Sequence, residues 1–179
     1  MLSIFRHLFR RKQPFLGQLP TAAQSRSLPH LNTAWVCCDD FRSSAKNHCH
    51  AVCICNLLRY CFPEQGFSFS EIHKRVGNGP VFSLQKMRKF CEEKQLPLTA
   101  EKLRSSKDLN AALADGHPCV VLMANRLWEW HWILVVGIAE SADGQQFLRI
   151  VDGWHSDCDH WYKIETAAPW LSAYQFIRT

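Results

Sequence analysis

No part of the chain carries an apolar run long enough for a secretory h-region or a bilayer-spanning helix. Export by a standard signal is therefore not expected, and a cytoplasmic location is. Regular cysteine spacing is missing as well. Nine cysteines is an odd number, and Cys37-Cys38 and Cys53-x-Cys55 do not match the pattern of a small disulfide scaffold. A reducing compartment suits such a set. The chain has no internal repeat and no low-complexity tract. Its body also lacks a basic stripe: the formal net charge is +5, and Arg6, Arg10, Arg11 and Lys12 cluster near the start. No nucleic-acid footprint is read in the rest.

What is present is enough apolar material for a core. The 179 residues are 47% hydrophobic and include seven Trp and eleven Phe, which fits one domain of ordinary size. Leu2, Phe5, Leu8 and Phe9 recur at helical spacing opposite arginines, so residues 2–12 read as a short amphipathic basic helix. It either packs on its own domain or touches a membrane surface or a partner protein. Residues 13–31 hold Pro14, Gly17, Pro20 and Pro29 among polar residues and read as an extended lead-in with little regular structure. The chain thus divides into a segment 1–31 and a folded domain 32–179.

Thr33 to Cys38 reads as a short strand. The stretch Asn47 to Tyr60 then has apolar residues on both faces at helical spacing, which places a helix inside the domain. Ser68-Phe69-Ser70-Glu71 is a capping box opening a helix to about Val76, and Ser83 to Lys94 is a one-sided helix. Leu96 to Ala100 reads as an edge strand and Ser105 to Leu113 as a helix. Five strands follow, at 119–123, 131–138, 147–152, 160–163 and 174–177, with short links that favour antiparallel pairing. Helices first and strands second make an α+β domain, a buried helix packed on a twisted antiparallel sheet.

Three polar residues stand out on these elements. Asn47 is a good N-cap, so Cys49 falls in the first helical turn, where backbone N–H groups and the helix dipole favour a thiolate. His131 heads the strand His-Trp-Ile-Leu-Val-Val-Gly-Ile, and Asp152 closes Phe-Leu-Arg-Ile-Val-Asp. If these two strands are antiparallel neighbours, His131 and Asp152 meet at one edge. Singly, each residue reads as a buried cysteine, a core histidine and a turn aspartate. Jointly they supply nucleophile, base and orienter.

Asn-His-Cys with a buried Ala-Val-x-x-x-Asn-Leu-Leu-x-Tyr helix, then Pro118-Cys-Val-Val-Leu, His131-Trp-Ile-Leu-Val-Val-Gly and Ile150-Val-Asp-Gly-Trp, resembles the papain-like cysteine peptidases. Within them it is most similar to the bacterial double-glycine leader peptidase branch. The resemblance covers residues 33–178. It implies a papain-like fold, with Cys49 as nucleophile, His131 as base and Asp152 as acid. Cys49 and His131 are closer in sequence than in papain-type proteases, which implies a compact version of the fold.

The branch has Gly-Pro after the cysteine, where this chain has His50-Ala51, and an oxyanion-hole Gln six residues before it, where Ser43 stands. Asn47 or Ser43 is the candidate side-chain donor, with the Cys49 N–H as the second. Trp132 and Trp154 are expected to line the cleft and to shield the His-Asp pair. Such chemistry needs no cofactor and takes a peptide or protein substrate. An inactive binding module, and an acyltransferase or transglutaminase-like enzyme using the same triad, fit the same residues.

Rival sites are weaker. Cys53 and Cys55 lie about 200° apart on a helix and cannot share an ion. Asp152, His155, Cys158 and His160 sit in a loop that can bend, and they are the better metal set, although their spacing matches no common structural-zinc pattern. His117 also precedes a strand but has no obvious carboxylate partner. His48 and His50 flank Cys49 in sequence yet point about 100° away on a helix. Trp128, Trp130 and Trp132 alternate as strand residues do and read as core or cleft lining.

Overall fold

The interior is built on a helix that is apolar all round. α1 (Cys49–Cys61) buries every residue from His50 to Leu58, and Cys61 as well. A helix of this kind has no solvent face and is held by tertiary packing. A computed structural model describes residue 19 and residues 24–37, 48–77, 84–126, 129–155, 158–164 and 170–179. Residues 2–12, Ser43 and Asn47 lie outside that set, and with them the expected amphipathic helix and both side-chain oxyanion candidates.

Three more helices follow among the described residues: α2 (Phe69–Val76), α3 (Leu84–Glu93) and α4 (Ser106–Ala114). α2 starts where Ser68 accepts a hydrogen bond from the Glu71 N–H at 3.2 Å, and α4 starts on a complete capping box of Ser105 and Asp108. The expected box at Ser68 is half formed, since the Glu71 carboxylate pairs with Lys94 instead, and the helix expected from Ser105 opens on the complete one. α2 buries Phe69, Ile72 and Val76, and α3 buries Met87, Phe90 and Cys91, as their one-sided periodicity requires.

Among the described residues seven strands form one antiparallel sheet: β1 (Gln24–Ser27), β2 (Leu98–Leu103), β3 (Cys119–Arg126), β4 (Glu129–Glu140), β5 (Gln146–Val151), β6 (His160–Lys163) and β7 (Trp170–Arg178). The order is β2-β7-β3-β4-β5-β6. β1 joins β4 along the half that β3 leaves, pairing Gln24 with Glu140 and Ser27 with Gly137. Gly137 permits this approach. A Cβ there would lie 2.8 Å from both the Arg26 carbonyl oxygen and the Ser27 Oγ.

Two expectations are corrected. The lead-in is not without regular structure, because Gln24–Ser27 is a strand of the sheet, so the packed chain begins by residue 24. Conversely, residues 31–37 run without strand pairing. The Val36 N–H donates to Asn56 Oδ1 at 2.8 Å, and Asn56 Nδ2 donates to the Val36 carbonyl at 3.0 Å. A buried side chain on α1 takes the place of a neighbouring strand and satisfies main-chain groups that would otherwise be costly to bury. Arg59 adds a second clamp, its Nη1 donating to the Ala34 carbonyl at 2.8 Å and its Nε to the Phe67 carbonyl at 2.6 Å.

α1 packs on β4, and β4 is flanked by β3 and β5. The β4–β5 ladder ends at the pair Leu134 and Val151. Just beyond it lie His131 and Trp132 on one side and Asp152 on the other. That edge is where the start of α1 arrives.

Candidate active site

Cys49 is the first residue of α1 and is half-buried, whereas the other described cysteines are buried. His48, rather than Asn47, is the residue flanking the described helix. It has helical φ and ψ and makes no side-chain cap hydrogen bond. No acidic residue stands in the first turn. Main-chain N–H groups at a helix start lack in-helix acceptors. Here those of Cys49 and His50, with that of Trp132 from β4, favour a negative charge on the Cys49 sulfur. Burial outweighs them and pushes the Cys49 thiol above its ordinary value. The helix start acts on the thiol in the expected direction, and the desolvation outweighs it.

The contact with Trp132 ties the start of α1 to the head of β4, because Trp132 follows His131 directly. His131 is buried, at 6% exposure. Its Nε2–H donates to the main-chain carbonyl of Asp152 in a short hydrogen bond. Its ring is stacked on that of Trp154, with centroids 3.8 Å apart and planes 9° from parallel. The expected meeting of His131 with residue 152 is present, but the acceptor is the carbonyl and not the carboxylate.

The Asp152 carboxylate is fully buried and engaged elsewhere. Oδ1 accepts from the Trp154 N–H at 2.9 Å and the His155 N–H at 3.0 Å, and Oδ2 accepts from His155 Nδ1–H at 2.7 Å. This is the reach of a short acidic side chain back to its own turn. It folds the turn so that Trp154 lies over His131. A carbonyl acceptor fixes the same imidazole tautomer as a carboxylate would, with Nε2 protonated and Nδ1 left to accept. It supplies less negative charge to a forming imidazolium.

Trp154 therefore covers the histidine, as expected. Trp132 does not line an open cleft with its ring, which is 3% exposed and part of the core. Alternation along β4 sends neighbouring side chains to opposite faces. Its contribution at Cys49 is the main-chain N–H. The sequence groups His155 with Asp152 only as candidate metal ligands, and here the two are joined directly by a hydrogen bond. The signal was in the sequence, since a histidine three residues after an aspartate in a glycine-containing turn is within reach of it. A cavity of about 590 Å³ lies elsewhere, bounded by Gln24, Arg26, Asn110 and Glu140, and includes none of Cys49, His131 or Asp152.

No known protein family matches the sequence, and no curated protein matches it. The structure does find neighbours. It superposes on a C39-like peptidase from Bacillus anthracis with a TM-score of 0.61, covering 86% of this chain and 98% of that one at 10% identity. The fold is papain-like. A second papain-like neighbour, UfSP from C. elegans, has a TM-score of 0.55 at 10% identity. The match covers 89% of this chain but 34% of UfSP, so the chain spans about a third of that protein. At this identity the likeness shows the fold alone.

Proposed function

We propose that the protein is a papain-like cysteine peptidase of the C39 type, related in its segment order to the double-glycine leader peptidases, with Cys49 as nucleophile and His131 as base. The single observation that carries this reading is the junction of α1 with β4. The N–H of the residue after His131 favours charge on the sulfur at the helix start, and the Nε2–H of that histidine is held by the Asp152 carbonyl.

In this reading the thiol rests protonated. As Cys49 Sγ attacks the scissile carbonyl, its proton passes to His131 Nδ1, and the developing oxyanion is met by the Cys49 N–H at the helix start. Collapse breaks the C–N bond, and the amine leaves with the proton from His131. Water then attacks the thioester, giving its proton to His131, which returns it to the departing sulfur. Asp152 acts as a positioning residue through its carbonyl, and Trp154 excludes water from that hydrogen bond.

A second reading, a papain-like domain that binds peptides without cleaving them, is favoured by one observation: burial raises the Cys49 thiol. Sub-stoichiometric iodoacetamide at neutral pH followed by peptide mapping separates the two. The peptidase reading expects alkylation first at Cys49. Labelling first at Cys37, Cys91 or Cys158 removes the nucleophile assignment, and an inert Cys49 favours the binding domain.

A further inference from the structure

Beyond the cysteine site, the turn between β5 and β6 gathers a second set of chemically capable groups. Asp152, His155 and His160 each bring one ligand atom, and these atoms all lie within 4.8 Å of one another. The three come from different parts of the hairpin. Asp152 directly follows β5, His155 lies in the turn, and His160 opens β6 opposite Ile150. The His155 and His160 rings are stacked, with centroids 3.9 Å apart and planes at 26°. We propose that Asp152, His155 and His160 form a binding site for a divalent transition-metal ion such as Zn²⁺.

The donor set is right for it. One carboxylate oxygen and two imidazole nitrogens are ligands that zinc and its neighbours accept, and three protein ligands leave a coordination position open. A tetrahedral ion with bonds of about 2.0–2.2 Å holds its ligands roughly 3.4 Å apart. Small side-chain rotations therefore close the set. His155, at 50% side-chain exposure, is able to make them.

The rest of the turn is already held. Asp152 Oδ1 keeps two main-chain N–H groups, so Oδ2 can exchange its bond to His155 Nδ1–H for a bond to the ion without releasing the turn. Arg149 fixes the entry to β6, its Nε donating to the Cys158 carbonyl at 2.9 Å and its Nη2 pairing with Asp159. These bonds hold the two residues that lead into His160. Cys158, the fourth residue of the set read from sequence, is turned inward with its Sγ 3.9 Å from the Leu31 carbonyl and does not belong to the cluster.

The site does not depend on the peptidase reading, yet it adjoins it. Asp152 is both a ligand and the residue whose carbonyl receives His131 Nε2–H. Titration of the full chain with Co²⁺ tests the proposal directly, because cobalt reports its ligands. One equivalent is expected to give visible absorption of a low-coordinate ion without a sulfur-to-cobalt charge-transfer band. His155→Ala and His160→Ala, both at positions with solvent access, are each expected to weaken binding by more than the ten- to hundredfold that losing an outer partner costs. His117→Ala, outside the cluster, is expected to change nothing. Cobalt binding that survives both substitutions, a sulfur-to-cobalt band, or no binding at millimolar Co²⁺ would each overturn the site. None of these readouts involves turnover, so the metal site and the peptidase stand or fall separately.

Discussion

Two kinds of helix start stand among the described residues. α2 and α4 begin on serines in extended conformation, and each serine accepts from a first-turn N–H; an acidic residue stands in each first turn. α1 begins without a side-chain cap bond from His48 and without an acid. Its first N–H groups face the Cys49 sulfur instead. A missing cap costs about 1 kcal/mol, and a fully buried helix can bear that. Where a helix start serves the fold it is closed by Ser and acid. Where it carries a thiol, the same donors are left for the charge that forms there.

The sharpest way to break this comparison is Cys49→Ala. Turnover of a fluorogenic peptide library is expected to fall at least about a thousandfold, because the nucleophile is the step. Unfolding by urea should change little, since Cys49 is half-buried at the edge of the core and its truncation to Ala removes a single atom. An active Cys49→Ala enzyme would show that the open helix start has another purpose.

The interior of α1 sharpens the contrast through pH. Burial pushes Cys55 up to about 11 and Cys61 up to about 12, and Cys91 on α3 up to about 11. In the unfolded chain these thiols ionise near 9.0. Above that pH the unfolded state holds fewer protons than the native one, so stability is expected to fall as pH rises from 9 toward 12. Urea midpoints measured at pH 8, 9 and 10 check the sign. Cys61→Ala should flatten the slope more than Cys49→Ser, whose sulfur has three N–H groups opposing its desolvation.

Asp152→Asn separates carbonyl from carboxylate. Asn retains the carbonyl that receives His131 Nε2–H but presents an amide to a buried site that now satisfies three donors. A stability loss of about 1–3 kcal/mol is expected. Turnover should fall well short of the roughly 10⁴-fold that losing a triad carboxylate costs. A full loss of that size would mean that the carboxylate swings to His131 during the reaction.

Much of this was legible in the chain. The two-faced periodicity of residues 47–60 placed the buried helix, strand-forming runs bounded by turns placed β4 and β5, and antiparallel pairing brought His131 to residue 152. What escaped was which atoms would meet. Both the Asp152 carbonyl and its carboxylate are at the same place in sequence, and only the turn 152–155 decides between them. The sequence also could not show that Asn56 would stand in for a strand beside Val36, because a side chain imitating a ladder leaves no periodic signal. β1 was hidden for a related reason. Four exposed residues, Gln-Ser-Arg-Ser, carry no apolar alternation, and their place in the sheet is set by the space at Gly137.

The smallest expected effect tests the other side of the comparison. At the start of α4 the Ser105 Oγ accepts from the Asp108 N–H at 3.2 Å, and Asp108 Oδ2 accepts from the N–H groups of Ser105 at 3.0 Å and Arg104 at 2.9 Å. Ser105→Ala removes the first bond and is expected to cost about 1 kcal/mol. That is a drop of roughly 2–4 °C in Tm for a chain of this length. Turnover should not change, since α4 does not reach Cys49. The two halves of the box respond differently to acid. The Arg104 N–H, and then the Ser105 side chain, hold the Asp108 carboxyl below its ordinary value. Its contribution is therefore present above the usual carboxylate range and lost as pH falls through the lowered value. Asp108→Asn should lose its penalty in acid, whereas the penalty of Ser105→Ala should fall only in part, because the Oγ still accepts the Asp108 N–H once the carboxyl is protonated. If the two variants fade together on acidification, the box acts as one electrostatic unit, and the absence of an acid beside Cys49 becomes the more telling difference between the two kinds of helix start.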